Sequence, residues 1–304
     1  MNLKTILINC KDDYEGKVVA NLIYTNEKSS NCAVIHIHGF SDYFFHNNLA
    51  EEINKTGIDF YALELRKYGR SKLGHQHDFY FRKISEYYEE ITKSIVIILE
   101  KGYEKIHLMG HSTGGLIISL YAYEGELKHK ISSIILNSPL LNFPLPSNLK
   151  KIVPLSGFIG KLFPFAKIKE LKKPSIGGIY NDSLHKDYKG EWDYIRKVKE
   201  TDGIFLSWLN GVNNGFKIIK KGLNLSIPVL ILHSSQTFFP KKWDDKILIS
   251  DVVLKISDMK TIGPTLGSNV TLFEIKDAMH DVYLSKLESR SNAIFKTINW
   301  IKAI

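Results

Sequence analysis

Cysteine is scarce: only Cys10 and Cys32 occur in 304 residues. Two thiols in so long a chain make no disulfide framework, and we read both as reduced, as in a reducing cytosol. Long hydrophobic runs are lacking too; none approaches the roughly 20 residues that a membrane-spanning helix requires. The first ten residues hold one lysine and the patch Ile6-Leu7-Ile8, and Asp12 and Asp13 follow at once. That stretch is too short and too polar for a signal peptide, so a cytoplasmic protein is expected. No internal repeat or low-complexity segment is present. The ordinary apolar share, 44%, excludes disordered and collagen-like classes.

Charge is unbalanced in one direction. Subtracting 32 acidic from 41 basic side chains leaves +9. Such a surplus favours nucleic acid or anionic membranes only if it is clustered. Here it is scattered, and the clusters are mostly pairs, such as Lys150-Lys151 and Lys220-Lys221. A solvated basic surface follows, with no nucleic-acid partner and at most peripheral membrane contact.

What the chain has is alternation. Seven short apolar runs read as strands: 18–24, 32–37, 59–65, 105–109, 131–137, 228–233 and 270–275. Near-continuous apolar strands are covered on both faces. Between them lie helical patterns over 47–55, 84–101, 116–123 and 282–301; in the second, Ile84, Tyr87, Ile91, Ile95 and Ile98 recur at three and four. The expected fold class is α/β, a mostly parallel sheet flanked by helices. One stretch breaks the rhythm. Residues 141–224 carry five prolines up to Pro174, the pair Gly177-Gly178, and Trp192, Phe205, Trp208 and Phe216. We expect core segments 1–140 and 225–304, with 141–224 inserted as short helices and loops.

The chemistry centres on Gly110-His111-Ser112-Thr113-Gly114, which follows a strand and opens a helix. In that context Gly-x-Ser-x-Gly is a nucleophile elbow. The turn is too sharp for side chains at Gly110 and Gly114, and it lifts Ser112 above the C-terminal edge of the sheet, where open α/β sheets bind ligands. The following helix start aims N–H groups at the site, that of Thr113 among them. A serine hydroxyl needs a base at neutral pH. His280, in Ala278-Met279-His280 after the last strand, fits the chain order; His233, at a strand end, is its rival. His36 and His38 form a His-x-His, but no further ligands follow at metallohydrolase spacing, so neither a metal nor another cofactor is expected. The acid belongs after the sixth strand. Gln236 stands about where it would fall, and Asp244, Asp245, Asp251 and Asp258 lie beyond.

These segments resemble the α/β-hydrolases of the serine aminopeptidase S33 type, a group that includes monoacylglycerol lipases and lysophospholipases. The resemblance rests on His38-Gly39-Phe40, Leu65-Arg66-Lys67-Tyr68-Gly69-Arg70-Ser71, Gly110 to Gly115 and Ala278-Met279-His280. It implies an α/β-hydrolase fold and a cap formed by the insertion. It makes the Phe40 N–H the second oxyanion donor beside Thr113. It also favours Asp251, a small residue, aspartate and two apolar residues before a helix start, as the acid. The implied catalytic set is Ser112, His280 and Asp251. The implied substrate is a small-molecule ester, lipid-like if the cap aromatics line an acyl pocket. Two other readings stay open: an aminopeptidase, with Glu191 and Asp193 holding an amino group, and a non-catalytic binding protein on the same scaffold.

Overall fold

The structure, a computed structural model, describes residues 3–25, 27–145, 153–168, 203–240 and 242–304. Ten strands occur among them: β1 (Lys4–Asp13), β2 (Gly16–Tyr24), β3 (Cys32–Ile37), β4 (Asp59–Glu64), β5 (Lys105–His111), β6 (Ser133–Asn137), β7 (Lys167–Ile168), β8 (Ile204–Phe205), β9 (Val229–Ser234) and β10 (Val270–Ile275). Eight form one sheet in the order β1-β2-β4-β3-β5-β6-β9-β10. From β4 to β10 every neighbour is parallel, while β2 is antiparallel to β1 and β4. The chain is an α/β protein with a mostly parallel sheet, as its strand–helix alternation predicts.

Helices cover both faces. Ile35, Leu108, Ile134 and Ile231 point to a core shared with α2 (Tyr88–Glu100), α3 (Thr113–Glu124) and α5 (Leu206–Ile219). Val34, Met109, Ile135 and Leu230, one step along the same strands, face α1 (Asn47–Asn54) and α7 (Leu287–Lys302). Side chains alternate across a strand, so burial on both faces requires the continuous apolar runs in the sequence. Among the described residues the remaining α-helices are α4 (Val153–Leu162) and the short α6 (Ile256–Ile262).

Three expectations need correction, the first being that the inserted stretch, read as short helices and loops, also carries the two-residue strands β7 and β8, paired antiparallel. The N-terminal segment around Ile6-Leu7-Ile8 is strand β1, absent from the seven read in the sequence. It is the sheet edge and mostly exposed, so burial demands little apolar patterning of it. The last helical pattern begins late: Val282–Leu284 is a 3-10 turn, and α7 starts at Leu287. Asp281 accepts the Tyr283 N–H there and closes that turn.

Cys10 and Cys32 are free thiols on different strands, and burial pushes Cys10 up to about 12. No helix among the described residues is long and apolar enough to cross a membrane.

Candidate active site

The parallel strands deliver their C-terminal ends to one edge, and each segment singled out in the sequence follows such an end. Ser112 stands between β5 and α3 with φ 51° and ψ −114°, a left-handed-side conformation that only a constrained non-glycine residue keeps. Its N–H donates to Asn137 O at 2.9 Å, and its carbonyl accepts the Leu140 N–H at 2.9 Å. Glycine is required on both sides. A Cβ on Gly110 would lie 2.6 Å from the Gly114 carbonyl, and one on Gly114 would lie 2.5 Å from the His38 and Ile37 carbonyls. Backbone cannot yield as a side chain end can. We therefore expect Gly110→Ala to cost about 3 kcal/mol or more of stability, measured by denaturant unfolding; a loss under about 1 kcal/mol would contradict this account.

His280 lies on the loop after β10. Its ring sits 4.8 Å, centroid to centroid, from that of His111, the residue before Ser112. Its Nδ1 is 2.9 Å from Asp251 Oδ2. A carboxylate can only accept, so Nδ1 carries the proton and Nε2 is left basic.

Asp251 reaches this position by a loop that leaves and returns. The Phe238 N–H donates to Asp251 O at 3.0 Å, and the Asp251 N–H to Gln236 O at 2.9 Å. Thr237 and Asp251 thus pair as a parallel bridge at the neck of the excursion. The position beside Gln236 is filled by a residue from beyond the loop. Asp251 Oδ1 accepts the N–H groups of Val253 at 2.9 Å and Leu254 at 2.7 Å, which aims the other oxygen at His280.

The rival residues go elsewhere. Asp244 caps a 3-10 turn through the Lys246 N–H. Asp245 pairs with Trp243 Nε1. Asp258 accepts Asn142 Nδ2 at 3.2 Å. His233 turns its Nδ1 to the Ser234 carbonyl at 2.7 Å.

Two further N–H groups follow the ends of β3 and β5. The Phe40 N–H makes no hydrogen bond among the described residues. Thr113 opens α3, and the first N–H of a helix has no intrahelical acceptor. Phe40's loop is held from within. Asp42 accepts the N–H groups of Gly39 at 3.0 Å and Tyr43 at 2.8 Å. The buried Glu64 accepts those of Phe44 at 3.1 Å and Arg70 at 2.6 Å, and it pairs with the Arg70 guanidinium. The Leu65-to-Ser71 stretch thus shapes this region through Arg70.

His36 and His38 do not act as a pair. His38 donates from Nδ1 to Gly39 O at 2.9 Å and accepts the Leu65 N–H on Nε2 at 3.1 Å, a neutral imidazole. Burial pushes its pKa down to about 4. His36 packs between Phe44 and Phe60 inside the sheet layer.

Of the aromatics singled out in 141–224, Trp192 lies outside the described residues, as do Glu191 and Asp193. Trp208 packs on Phe40 with ring centroids 4.7 Å apart. Phe205 meets Tyr80 edge to face, and Phe216 packs against Phe143 in the core. Four polar residues escaped sequence reading: Asp42, His46, Asn137 and Asp281. No local motif marks His46, Asn137 and Asp281, which meet across distant segments, and Asp42 reads as an ordinary turn aspartate.

Comparison with known proteins follows the same lines. Residues 28–243 match the model of the family described as serine aminopeptidase, S33. No curated protein matches the chain in sequence. Among solved structures, a soluble variant of monoglyceride lipase from Saccharomyces cerevisiae, in complex with a substrate analog, superposes with TM-score 0.70 at 17% identity, covering 97% of this chain and 94% of that one. The monoacylglycerol lipase of Paleococcus ferrophilus gives 0.66 at 20% identity, over 99% and 98%. A thermostable carboxyl esterase from Bacillus coagulans, in complex with glycerol, gives 0.72 at 13%, over 100% and 99%. At these identities the likeness is one of fold.

Proposed function

We propose that this chain, which belongs to the serine aminopeptidase S33 family, hydrolyses carboxylic esters through an acyl-enzyme on Ser112. The observation that carries the reading is the meeting of His280, paired to Asp251 at 2.9 Å, with the elbow that holds Ser112 at positive φ. In the cycle, His280 Nε2 takes the Ser112 proton as Oγ attacks the ester carbonyl. The oxyanion rests on the Phe40 and Thr113 N–H groups, at about 3 kcal/mol each. His280 then protonates the leaving alcohol. Water repeats the sequence on the acyl-enzyme and releases the acid. Asp251 keeps His280 in the Nδ1–H tautomer and stabilises the imidazolium.

The proposed substrates have apolar acyl groups, of the monoacylglycerol or lysophospholipid kind, with residues 141–224 acting as a cap. Trp208 supports this, because its indole lies against Phe40 at the oxyanion loop. The exposed Leu155, Leu162, Phe163 and Phe165 support it as well. A p-nitrophenyl ester series from two to sixteen carbons tests the idea, with amino-acid amides as controls. We expect kcat/KM to rise with chain length, and Trp208→Ala to lower the long-chain value about 10-fold more than the acetate value. Faster turnover of the amides than of every ester would favour the aminopeptidase instead.

A further inference from the structure

Behind His280 lies a buried polar cluster that this cycle does not use. Its centre is Asp281, the residue after His280, with almost no exposure. Asp281 Oδ1 accepts Asn137 Nδ2 at 2.7 Å and the Tyr283 N–H at 3.0 Å. Its Oδ2 lies 2.8 Å from His46 Nε2 and 3.9 Å from His111 Nδ1. Each partner belongs to a different part of the site. His46 ends the loop that carries Phe40. His111 precedes Ser112 and packs on His280. Asn137 accepts the Ser112 N–H on its carbonyl and the Val282 N–H on its side chain.

We propose that His46 and Asp281 form a second buried imidazole–carboxylate pair, which positions His280 and keeps the buried Asp281 charge from displacing the pH at which His280 becomes a base. The proposal rests on the reading of Ser112 and His280 given above. The pair acts on His280 at short range, through the His111 ring and the shared loop. Water is excluded from this region, so a charge there is weakly screened and its effect on a neighbouring imidazole is large.

The other titratable groups facing the pair leave its charges in control. Burial drives His36, on β3, well below its ordinary range, and it lowers His111 on the elbow. Burial raises Asp42, whose oxygens already take two N–H groups. Burial alone would lower His46, but the Asp281 carboxylate outweighs it and raises His46. Burial likewise opposes the Asp281 charge, and His111 and His46 overcome it, holding the carboxyl far below the usual range. Asp281 is thus held toward its anion and His46 is shifted toward its cation, both out of water. Removing His46 alone leaves the carboxylate uncompensated beside His280, whereas removing the carboxylate also removes what raises His46. Removing both leaves a neutral hydrogen-bonded pair of similar shape.

The test is the acid limb of the kcat/KM–pH profile, which reports the free enzyme's base. It uses a p-nitrophenyl ester and the full-length chain, with folding checked by circular dichroism. His46→Gln leaves the Asp281 anion uncompensated, favours the His280 cation and moves the limb up by about half a pH unit or more. Asp281→Asn removes the anion and with it the cause that raises His46, so the limb stays within about 0.2 units of wild type. The double variant returns it to within about 0.2 units of wild type, as charge compensation requires. If His46→Gln does not fold, His46→Asn takes its place. A limb that stays put in folded His46→Gln overturns the proposal, as does a double variant displaced as far as that single one. A wild type that neither turns over esters nor takes a fluorophosphonate label overturns the underlying reading instead.

Discussion

Ser112→Ala lowers kcat for a p-nitrophenyl ester by about 10⁴-fold or more, while KM and the folded state stay near wild type. The size follows from the chemistry: alanine has no oxygen to form the acyl-enzyme, and what remains is the contribution of binding and of the oxyanion donors. Alanine also fits the site. Ser112 has positive φ, which costs a Cβ-bearing residue the same whether that residue is serine or alanine, so the elbow is not further strained. A fluorophosphonate probe gives a second readout that does not depend on guessing the substrate. It labels the wild type and leaves Ser112→Ala unlabelled. Equal labelling of both would sink the nucleophile assignment.

The second large effect is at Asp251. Asp251→Asn preserves shape and replaces the carboxylate oxygen facing His280 Nδ1 by an amide. With an N–H₂ there, Nδ1 must accept, so the proton moves to Nε2 and the base is blocked. A loss of about 10³- to 10⁴-fold in kcat at neutral pH follows from the wrong tautomer and the missing charge. Asp244→Asn and Asp245→Asn are expected to stay within about twofold, because Asp244 caps a turn and Asp245 pairs with Trp243. Running the three variants side by side at pH 8 settles the assignment. Turnover near wild type in Asp251→Asn would return the acid to its rivals.

The two experiments probe different degrees of legibility. Ser112 could be read directly, because the elbow is local: glycines two residues either side, a strand before and a helix after. Steric demands of that kind leave a short signature. His280 was readable through chain order and the last strand. Asp251 was harder. Its place beside Gln236 depends on a loop of some dozen residues closing on itself at Thr237, and loop closure leaves no period in the sequence. The resemblance to a family pattern pointed to Asp251; the residues alone left four aspartates open.

The strands show the same division. Where burial acts on both faces, as in β3, β5, β6 and β9, the apolar run announces the strand. Edge strand β1 carries Asn9, Lys11 and Asp12 toward solvent and leaves almost no signal. The final helix was placed too early because Val282, Tyr283 and Leu284 are apolar and buried. They form a turn closed by the Asp281 side chain rather than the start of α7.

By itself, then, the amino-acid order determined what short-range physics can impose: the α/β alternation, the sharp turn around Ser112 and the order of the candidate residues along the chain. Tertiary structure alone decided which carboxylate faces His280, that Trp208 reaches Phe40, and that His46, His111, Asn137 and Asp281 share one buried cluster. The physical reason is distance along the chain. His46 and Asp281 are separated by 235 positions, and only the convergence of parallel strand ends at one edge of the sheet brings such residues together.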